Sequence, residues 1–303
     1  MIFKMILIDS LYINSFGGET ILKLIINKLS ETERKKIYFI FDKRLNASVY
    51  SNLFKANYSV LAPSTTVRLS FYLKNQDRFK TFVCLGNIPP PLKIKKRKVI
   101  IFFHNELFLD PLLTNLSFNK RIYNCLKKLY ILLLNESNYI WFVQTELIKR
   151  RFNKSFKVVN DNILVAPIFK TERKHYLKSH KFSFVYVSSF EAHKNHDYLI
   201  QAFIRAAKLS KQFFLLHLTI KNVDLQELII PQNLEIIFHG MVKEIKVNEL
   251  YEKSTFAIFP SLNESFGLPL IESVNHNCKV IASDLPYVHE IIQPSLTFDP
   301  YSV

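Results

Sequence analysis

Short apolar runs alternate with longer stretches of helical periodicity along the whole chain. The apolar runs are rich in β-branched and aromatic residues, and most are continuous, which is typical of strands covered on both faces of a parallel sheet. On this basis strands are predicted over residues 2–8, 37–41, 81–85, 99–103, 139–143, 163–166, 182–187, 213–220, 234–238, 255–259 and 279–282. Helices predicted between them include residues 19–29, 111–134, 198–209 and 269–276.

This alternation of strands and helices predicts an α/β protein in which a doubly wound parallel sheet is built twice. A polar, basic stretch at residues 170–181, KTERKHYLKSHK, has no strand pattern, and we interpret residues 171–181 as an interdomain linker. The expected domains are residues 1–170 and 182–303. No closing helix is predicted after the last strand, so we expect the second domain to be incomplete.

The positive charge of the chain is concentrated in its first part. Residues 1–180 contain 31 Lys and Arg against 12 Asp and Glu, whereas residues 181–303 contain 10 against 13. This asymmetry favours an anionic partner for the first domain: a membrane surface, a phosphorylated acceptor or a nucleic acid. A lysine-rich bias of the sequence is the alternative, although it should have affected both halves. Nucleic acid is disfavoured because the sequence has no recognition helix, RNP-like motif or zinc finger.

Two basic clusters are candidates for contact with anionic lipid headgroups. They are KIKKRK at residues 93–98 and KRR at residues 149–151 with Lys154. Each charge near such a surface contributes about 1 kcal/mol to binding. No uncharged apolar run reaches the roughly 18 residues expected of a transmembrane helix. Residues 2–8 read as a first strand rather than a secretory signal, because they lack a small-residue cleavage site.

Cysteine and aspartate spacing argues against metal sites. Cys84, Cys125 and Cys278 are far apart and form no CxxC motif, which indicates buried thiols rather than disulfides or a zinc site. All nine aspartates are isolated, and no DxD sequence occurs, so Mg²⁺ or Mn²⁺ is not expected at a phosphate site.

The chain has only five glycines, where average usage would give roughly 21. We expect the retained glycines to mark positions at which a side chain does not fit. Each of them follows a predicted strand, which is where ligands bind in open parallel sheets. They are Gly17, Gly18, Gly86, Gly240 and Gly267.

The segment from residue 261 to 282, SLNESFGLPLIESVNHNCKVIA, is the most informative part of the sequence. Pro269 after Gly267 predicts a helix start whose backbone amides can bind an anion. Glu264 precedes this start and Glu272 lies one turn into the helix, so two carboxylates flank one phosphate-sized site and can accept hydrogen bonds from hydroxyls. The alternative is a capping carboxylate and a solvated face. Asn277 is predicted to end the helix in left-handed geometry.

Several of these segments resemble one enzyme family. ESFGLPLIE, residues 264–272, resembles the E-x7-E signature of the retaining GT-B glycosyltransferases of family 4, the glycosyltransferases group 1 family. Residues 184–203 are similar to its strand, lysine-bearing loop and helix, in a form like that of mannosyltransferase-like members, and residues 236–261 are similar to the stretch before the signature. DSLYINSFGGETILKLI, CLGNIPPP, FFHNE and FVQTELIKRRF resemble N-terminal segments of polysaccharide-assembling members.

The resemblance implies a GT-B fold, with two Rossmann-like domains that face each other across a cleft. It implies that Lys194 binds the donor diphosphate and that Glu272 binds the ribose. Glu264, which would contact the transferred sugar, and His104, near the reacting sugar, are the implied catalytic residues. The other implied donor-binding residues are Gly17, Gly18, Gly240, Ser265, Phe266, Gly267 and Leu268.

One departure from the family pattern concerns the diphosphate. The family has arginine five residues before the lysine, and this chain has Ser189 there. Donor affinity is therefore expected to be weaker, unless Arg150 or Arg151 replaces the missing cation. An inactive or truncated relative that binds donor or a partner without turnover remains the main alternative. A GT-B epimerase or phosphorylase shares only the fold.

The sequence therefore predicts a metal-independent hexosyltransferase of cell-surface polysaccharide biosynthesis. Its donor would be a nucleoside diphosphate sugar, bound as a substrate without any further cofactor, and its acceptor a glycan or lipid-linked glycan. We expect the protein in the cytoplasm, held peripherally at the inner face of the membrane by its basic N-terminal domain, with no nucleic acid partner.

Overall fold

The computed structural model describes residues 5–14, 16–45, 57–110, 118–166, 181–221, 229–264 and 267–302. The chain forms two compact units, Met1–Ile168 and Phe169–Val303, here called the N-terminal unit and the C-terminal unit. All residues of the predicted linker except Lys181 lie outside the described residues.

The N-terminal unit contains a parallel sheet of seven strands in the order β3-β2-β1-β4-β5-β6-β7. The chain first adds strands on one side of β1 and then returns to add β4 on its other side. A doubly wound sheet has its topological switch point at this reversal, between β1 and β4. The strands are β1 Met5–Asp9, β2 Ile37–Asp42, β3 Tyr58–Leu61, β4 Phe79–Cys84, β5 Lys98–Phe102, β6 Tyr139–Val143 and β7 Ile163–Val165.

Helices of this unit pack on the sheet and bury an aromatic core. Phe103, Trp141 and Phe152 meet within it, with ring centroids 4.7–4.8 Å apart for the two pairs that involve Phe152. The described helices are α1 Phe16–Lys28, α2 Glu31–Arg34, α3 Thr65–Asn75, α4 Phe118–Leu134 and α5 Glu146–Phe156.

The C-terminal unit repeats the same winding in a six-stranded parallel sheet of order β10-β9-β8-β11-β12-β13. Its switch point lies between β8 and β11. The strands are β8 Ser183–Tyr186, β9 Phe214–Leu218, β10 Leu234–Phe238, β11 Phe256–Phe259, β12 Lys279–Ser283 and β13 Leu296–Phe298. The described helices are α6 His196–Leu209, α7 Glu244–Lys253, α8 Leu268–Asn275 and α9 Pro286–Ile291.

The predicted α/β class and the doubly wound sheet built twice are confirmed, and all eleven predicted strands are present. Two edge strands, β3 and β13, were not predicted. β3, YSVL, and β13, LTF, are short and each is interrupted by a polar residue, so neither forms a continuous apolar run, and neither contains a fully buried residue. The predicted helix over 111–134 is described from Phe118, since residues 111–117 lie outside the described residues.

The expectation of three buried thiols was wrong for one of them. Cys84 and Cys278 are buried, and Cys125 is exposed on α4. This helix turns an apolar face outward, so an apolar sequence neighbourhood did not imply burial. None of the described helices is both long enough and apolar enough to cross a bilayer.

A buried ion pair closes the carboxyl end of β1. Arg68 of α3 donates from Nε to the Asp9 carboxylate (2.8 Å) and from Nη1 to the Pro89 carbonyl (2.8 Å). The Tyr72 hydroxyl donates to the same carboxylate oxygen (2.8 Å), and the Leu11 amide donates to the other oxygen (3.1 Å). Both charged side chains are almost inaccessible to solvent. Asp9 thus accepts three hydrogen bonds, which is what a buried carboxylate requires.

Replacing Arg68 should therefore destabilise the N-terminal unit. Arg68→Met leaves the Asp9 carboxylate buried without its cation, and we expect a loss of about 3–5 kcal/mol in the free energy of unfolding. Trp141, the single tryptophan, lies in the core of this unit, so denaturant unfolding followed by its fluorescence reports on this unit.

The matched control is Arg78→Met, which removes an exposed arginine of the same unit. It should cost less than about 1 kcal/mol. Equal losses in the two variants would contradict a structural role for the buried pair.

Candidate functional site

The carboxyl ends of β8 and β11 bring together the principal sequence-predicted residues of the C-terminal unit. Lys194 lies in the connection from β8 to α6, and Glu264 lies in the connection from β11 to α8. β8 and β11 are neighbours in the sheet but are not consecutive in the sequence, so these two connections meet at the switch point of the sheet. Open α/β sheets bind their ligands at this place.

The loop that carries Lys194 is shaped by local backbone geometry. Residues Ala192–Lys194 form one 3-10 turn, and Asn195 then takes left-handed geometry (φ 59°) before α6 begins. Asn tolerates this geometry better than other non-glycine residues. The side-chain amide of Asn195 donates from Nδ2 to the Pro300 carbonyl (3.1 Å), which anchors the turn to the residues after β13.

Hydrogen bonds join this loop to the β11 loop. The Leu262 amide donates to the His193 carbonyl (2.8 Å). The Tyr186 hydroxyl, at the end of β8, donates to the Lys194 carbonyl (3.0 Å) and also bonds to the Ser261 hydroxyl (2.7 Å). The two loops therefore form one connected structure, and the Lys194 backbone is fixed relative to the β11 loop.

Lys194 and Glu264 form an ion pair in which Nζ donates to Oε1 of the carboxylate. Only 14% of the Lys194 side chain and 11% of the Glu264 side chain are exposed. Sequence reasoning had assigned these residues to separate parts of a ligand and did not anticipate the pair. The carboxylate holds the lysine amine at the switch point, and the amine keeps two further N–H donors for a ligand.

The N-terminal end of α8 supplies a second source of positive potential. Gly267 is its N-cap residue in left-handed geometry (φ +59°), and Pro269 follows in the first turn. No side chain of the described residues caps this end, so its backbone dipole can act on an anion. A Cβ on Gly267 would lie 3.0 Å from Leu270 Cδ1, so glycine suits both the backbone and the packing. Ser265 and Phe266 lie outside the described residues.

The C-terminal end of α8 was predicted correctly. Asn277 has φ 56°, its amide donates to the Val274 carbonyl (3.0 Å), and the Cys278 amide donates to the Ser273 carbonyl (2.9 Å). This pair of bonds is the Schellman pattern, and it fixes where the eight-residue helix stops.

Glu272 lies one turn into α8, beside the Tyr251 hydroxyl. Burial, with a contribution from the Glu244 carboxylate, raises the pKa of Glu272 to about 7, while the hydrogen bond with Tyr251 acts in the opposite direction. The Tyr251 hydroxyl also donates to the Pro269 carbonyl (3.3 Å). Glu272 is therefore close to half-ionised at neutral pH, unlike a solvated surface glutamate.

Gly240 follows β10, the edge strand, which lies two strands away from β8. It has positive φ (65°), and its amide donates to the Ile220 carbonyl (3.1 Å). The structure thus places Gly240 at the carboxyl edge of the same sheet, with β9 between its strand and the strand that leads to Lys194.

In the N-terminal unit, Gly17 and Gly18 lie in the first turn of α1, after β1. Gly86 follows β4, the neighbour of β1 at the switch point of this unit. A Cβ on Gly86 would lie 2.3 Å from the Leu11 carbonyl oxygen, so no larger residue fits between the two connections.

His104 follows β5 and is held by Asn87. The His104 amide donates to Asn87 Oδ1 (2.6 Å), so Asn87 Nδ2 faces His104 Nε2 (3.1 Å). Burial lowers the pKa of His104 to about 4, so the ring is neutral at pH 7. Since Nε2 accepts from the amide, the proton lies on Nδ1, a buried atom without a hydrogen-bond partner among the described residues. Sequence reasoning missed Asn87, whose place after the retained Gly86 was the available signal.

Ser189 and Arg151, the residues expected to affect the positive charge near the diphosphate, both contact glutamate side chains. Ser189, at the position of the family arginine, is exposed and donates to Glu191 (3.3 Å). Arg151, one of the two suggested replacements, is ion-paired with the buried Glu106. Within the described residues, no group of three or more His, Cys, Asp or Glu side chains is placed to hold a metal ion.

Residues 181–300 match the family model of glycosyl transferases group 1. The chain is 31% identical over 131 residues to the O-antigen chain mannosyltransferase RfbU of Salmonella typhimurium, across 41% of this chain and 34% of RfbU. It is 34% identical over 117 residues to the serotype-specific mannosyltransferase WbdA of Escherichia coli, across 37% of this chain and 14% of WbdA. The chain thus matches about a third of the length of RfbU and less of WbdA.

Solved structures of low sequence identity share the fold over nearly the whole chain. The apo form of the lipopolysaccharide outer core galactosyltransferase WaaB has a TM-score of 0.62 at 15% identity, over 98% of this chain and 86% of WaaB. WaaG, a glycosyltransferase involved in lipopolysaccharide biosynthesis, has a TM-score of 0.64 at 12% identity, over 95% of this chain and 83% of WaaG. Residues 181–300 are thus similar to the glycosyl transferases group 1 family, and the chain has the GT-B fold.

Proposed function

We propose that this protein is a glycosyltransferase of cell-surface polysaccharide assembly. It moves a hexose from a nucleoside diphosphate sugar to a hydroxyl of a glycan or lipid-linked glycan, with retention of anomeric configuration. The observation that carries the proposal is the Lys194–Glu264 pair at the switch point, with Glu264 three residues before Gly267, the N-cap residue of α8. The group 1 family match and the relatives named as mannosyltransferases support the same activity.

The donor diphosphate binds against the first amides of α8 and the Lys194 amine. A helix N-terminus and a cation at one site both favour negative charge. Glu264 accepts hydrogen bonds from hydroxyls of the transferred sugar, and Glu272 accepts them from the ribose. The proposal includes no metal ion, because Lys194 and the helix dipole supply the positive potential that the diphosphate needs.

In the transfer, the bond between C1 of the sugar and the diphosphate oxygen breaks, and its electron pair leaves with the diphosphate. The acceptor hydroxyl forms the new bond to C1 on the same face of the ring, and its proton passes to the departing diphosphate oxygen. Lys194 acts on the charge that develops on this oxygen. Positive groups held in place before the reaction need no reorganisation while it occurs.

The N-terminal unit binds the acceptor in this proposal. His104 is neutral, with its proton on a buried Nδ1 that the described residues leave without an acceptor. In the proposal, acceptor binding displaces the side chains that cover Nδ1, and a sugar hydroxyl oxygen accepts this hydrogen bond. The excess of Lys and Arg in residues 1–180 suits an acceptor attached to an anionic membrane surface, at its cytoplasmic face.

A second candidate function is donor binding without turnover. Ser189 favours it, because a serine replaces the second cation that family members place near the diphosphate. A nucleotide sugar would then bind, but neither hydrolysis nor transfer would be observed with any acceptor.

The Lys194–Glu264 pair predicts a specific pattern of donor affinities. Calorimetric titration with a panel of nucleotide sugars should identify a donor, and Lys194→Ala should weaken its binding about 30- to 100-fold. Part of this loss arises because Glu264 is left as an unpaired negative charge beside the diphosphate. The double variant Lys194→Ala/Glu264→Ala should therefore bind the diphosphate about threefold to tenfold better than Lys194→Ala alone.

The matched control is Lys208→Ala, an exposed lysine at the end of α6, which should leave affinity within about twofold of the wild type. The site assignment fails if no nucleotide sugar binds, or if Lys194→Ala binds the donor as well as Lys208→Ala.

Glu272 predicts a pH dependence of donor binding. With a folded-state pKa of about 7, Glu272 gains its charge as pH rises from 6 to 8, and the ionised carboxylate is the stronger acceptor for ribose hydroxyls. Donor affinity should therefore be about tenfold higher at pH 8 than at pH 6. Titrations at both pH values check this, and Glu272→Gln should remove most of the difference. An equal pH dependence in wild type and Glu272→Gln would contradict the ribose assignment.

The same pKa predicts the effect of Glu272 on stability without donor. The folded protein keeps a proton that the unfolded chain releases near pH 4.5. The stability contributed by this raised pKa is thus fully present below pH 4.5 and is lost as pH rises through about 7. The free energy of unfolding of Glu272→Gln relative to wild type should therefore rise between pH 5 and pH 8, by up to about 3 kcal/mol. Denaturant unfolding followed by circular dichroism at the two pH values measures this, and a pH-independent difference would contradict the raised pKa.

A further inference from the structure

Helix α4 of the N-terminal unit exposes an apolar stripe to solvent. Besides Tyr123, six large apolar side chains of this 17-residue helix are between 44% and 74% exposed. They are Phe118, Ile122, Leu126, Leu129, Leu132 and Leu133, here called the α4 stripe.

The spacing of these residues places them on one side of the helix. At about 100° per residue, all six fall within an arc of about 120°. The buried residues of α4, Asn124 and Ile131, lie on the opposite side and pack on the unit. The core therefore contacts one face of α4, and the stripe points away from that face.

Such a stripe is unusual for the described part of this chain. None of the other described helices presents more than two exposed large apolar residues. A contiguous apolar surface on a folded protein indicates an interaction with another molecule or a membrane.

The charges on α4 identify the kind of partner. The helix carries four cationic residues, Lys120, Arg121, Lys127 and Lys128, and no acidic residue. On the helix projection, Arg121 and Lys128 border the stripe on one side. A second copy of the chain would bring the same bordering cations near Arg121 and Lys128, so self-association through the stripe is disfavoured by like-charge repulsion. Lys120 and Lys127 project from the packed side of the helix, where Lys127 lies over the Tyr12 ring. An anionic lipid surface provides an apolar layer for the stripe and negative headgroups for Arg121 and Lys128.

We propose that α4 lies in the plane of an anionic membrane surface, with its stripe inserted at the boundary of headgroups and acyl chains. This moves the membrane contact away from the two basic clusters considered in the sequence. Lys93 and Arg97 of the first cluster are ion-paired with Glu136 and Asp77, so part of its charge is already compensated. The inference deepens the proposed function, because it states how the enzyme reaches a lipid-linked acceptor.

The test compares two leucines of equal exposure in the same unit. Leu126 in the stripe is 60% exposed, and Leu73 on α3 is 61% exposed. With vesicles of phosphatidylcholine and phosphatidylglycerol, Leu126→Glu should lower the partition coefficient at least about tenfold, while Leu73→Glu stays within about twofold of wild type. Pure phosphatidylcholine vesicles should bind all three proteins weakly, because they lack the anionic headgroups.

Cys125 offers a measurement on the unmodified protein. It is the exposed cysteine, it lies within the arc of the stripe, and Cys84 and Cys278 are buried internal controls. Alkylation of Cys125 by a water-soluble maleimide, followed by mass spectrometry, should slow at least about fivefold when anionic vesicles are added. Cys84 should remain unmodified with and without vesicles, since burial raises the pKa of its thiol to about 12.

Several outcomes would overturn the proposal. One is unchanged alkylation of Cys125 on vesicles that bind the protein. A second is loss of vesicle binding in Lys95→Gln/Lys96→Gln with full binding in Leu126→Glu, which would assign the contact to the basic cluster. A third is a wild-type dimer, in sedimentation without lipid, that Leu126→Glu converts to a monomer. Donor titration of Leu126→Glu separates this test from the proposed function, because donor affinity should be unchanged whichever result the vesicles give.

Discussion

The C-terminal site depends on the ion pair between Lys194 and Glu264, which joins the loops after two strands that are neighbours in space and 70 residues apart in sequence. With both side chains largely shielded from solvent, neither charge is stable there without the other. The pair therefore fixes where the lysine amine lies before any ligand arrives. Tyr186 stabilises the same arrangement, because its hydroxyl donates to the Lys194 carbonyl and also bonds to the Ser261 hydroxyl.

The corresponding position of the N-terminal unit is used differently. Asp9 and Arg68 also meet at the end of the first strand of a doubly wound sheet, yet they are enclosed, and the hydrogen bonds of Asp9 come from the protein itself. This pair holds strands, helix and loop together. His104 Nδ1 in this unit is buried and has no acceptor among the described residues. The same topological position thus holds an enclosed structural pair in one unit and, in the proposed function, a ligand-binding pair in the other.

The distribution of charge and apolar surface agrees with a division of labour between the units. Residues 181–303 carry slightly more acidic than basic residues, so the proposed diphosphate site relies on local geometry rather than on overall charge. The N-terminal unit combines a strong excess of Lys and Arg with the outward-facing stripe of α4. The distribution of charge in the sequence indicated the basic clusters as the membrane contact, but ion pairs compensate part of the charge of one cluster. The exposed apolar stripe is the reason why the proposed membrane contact is α4.

Sequence alone was enough to predict the fold class, the eleven strands that lie in apolar runs, the end of α8 at Asn277 and the residue types around the site, because these follow from local periodicity and backbone preference. It did not reveal the edge strands β3 and β13, which lack continuous apolar runs. Only the tertiary structure decided that Glu264 pairs with Lys194, that Glu272 is close to half-ionised at neutral pH, and that the apolar face of α4 points outward. Each of these depends on which distant groups surround a side chain, and neither charge, pKa nor exposure is a property of a residue in isolation.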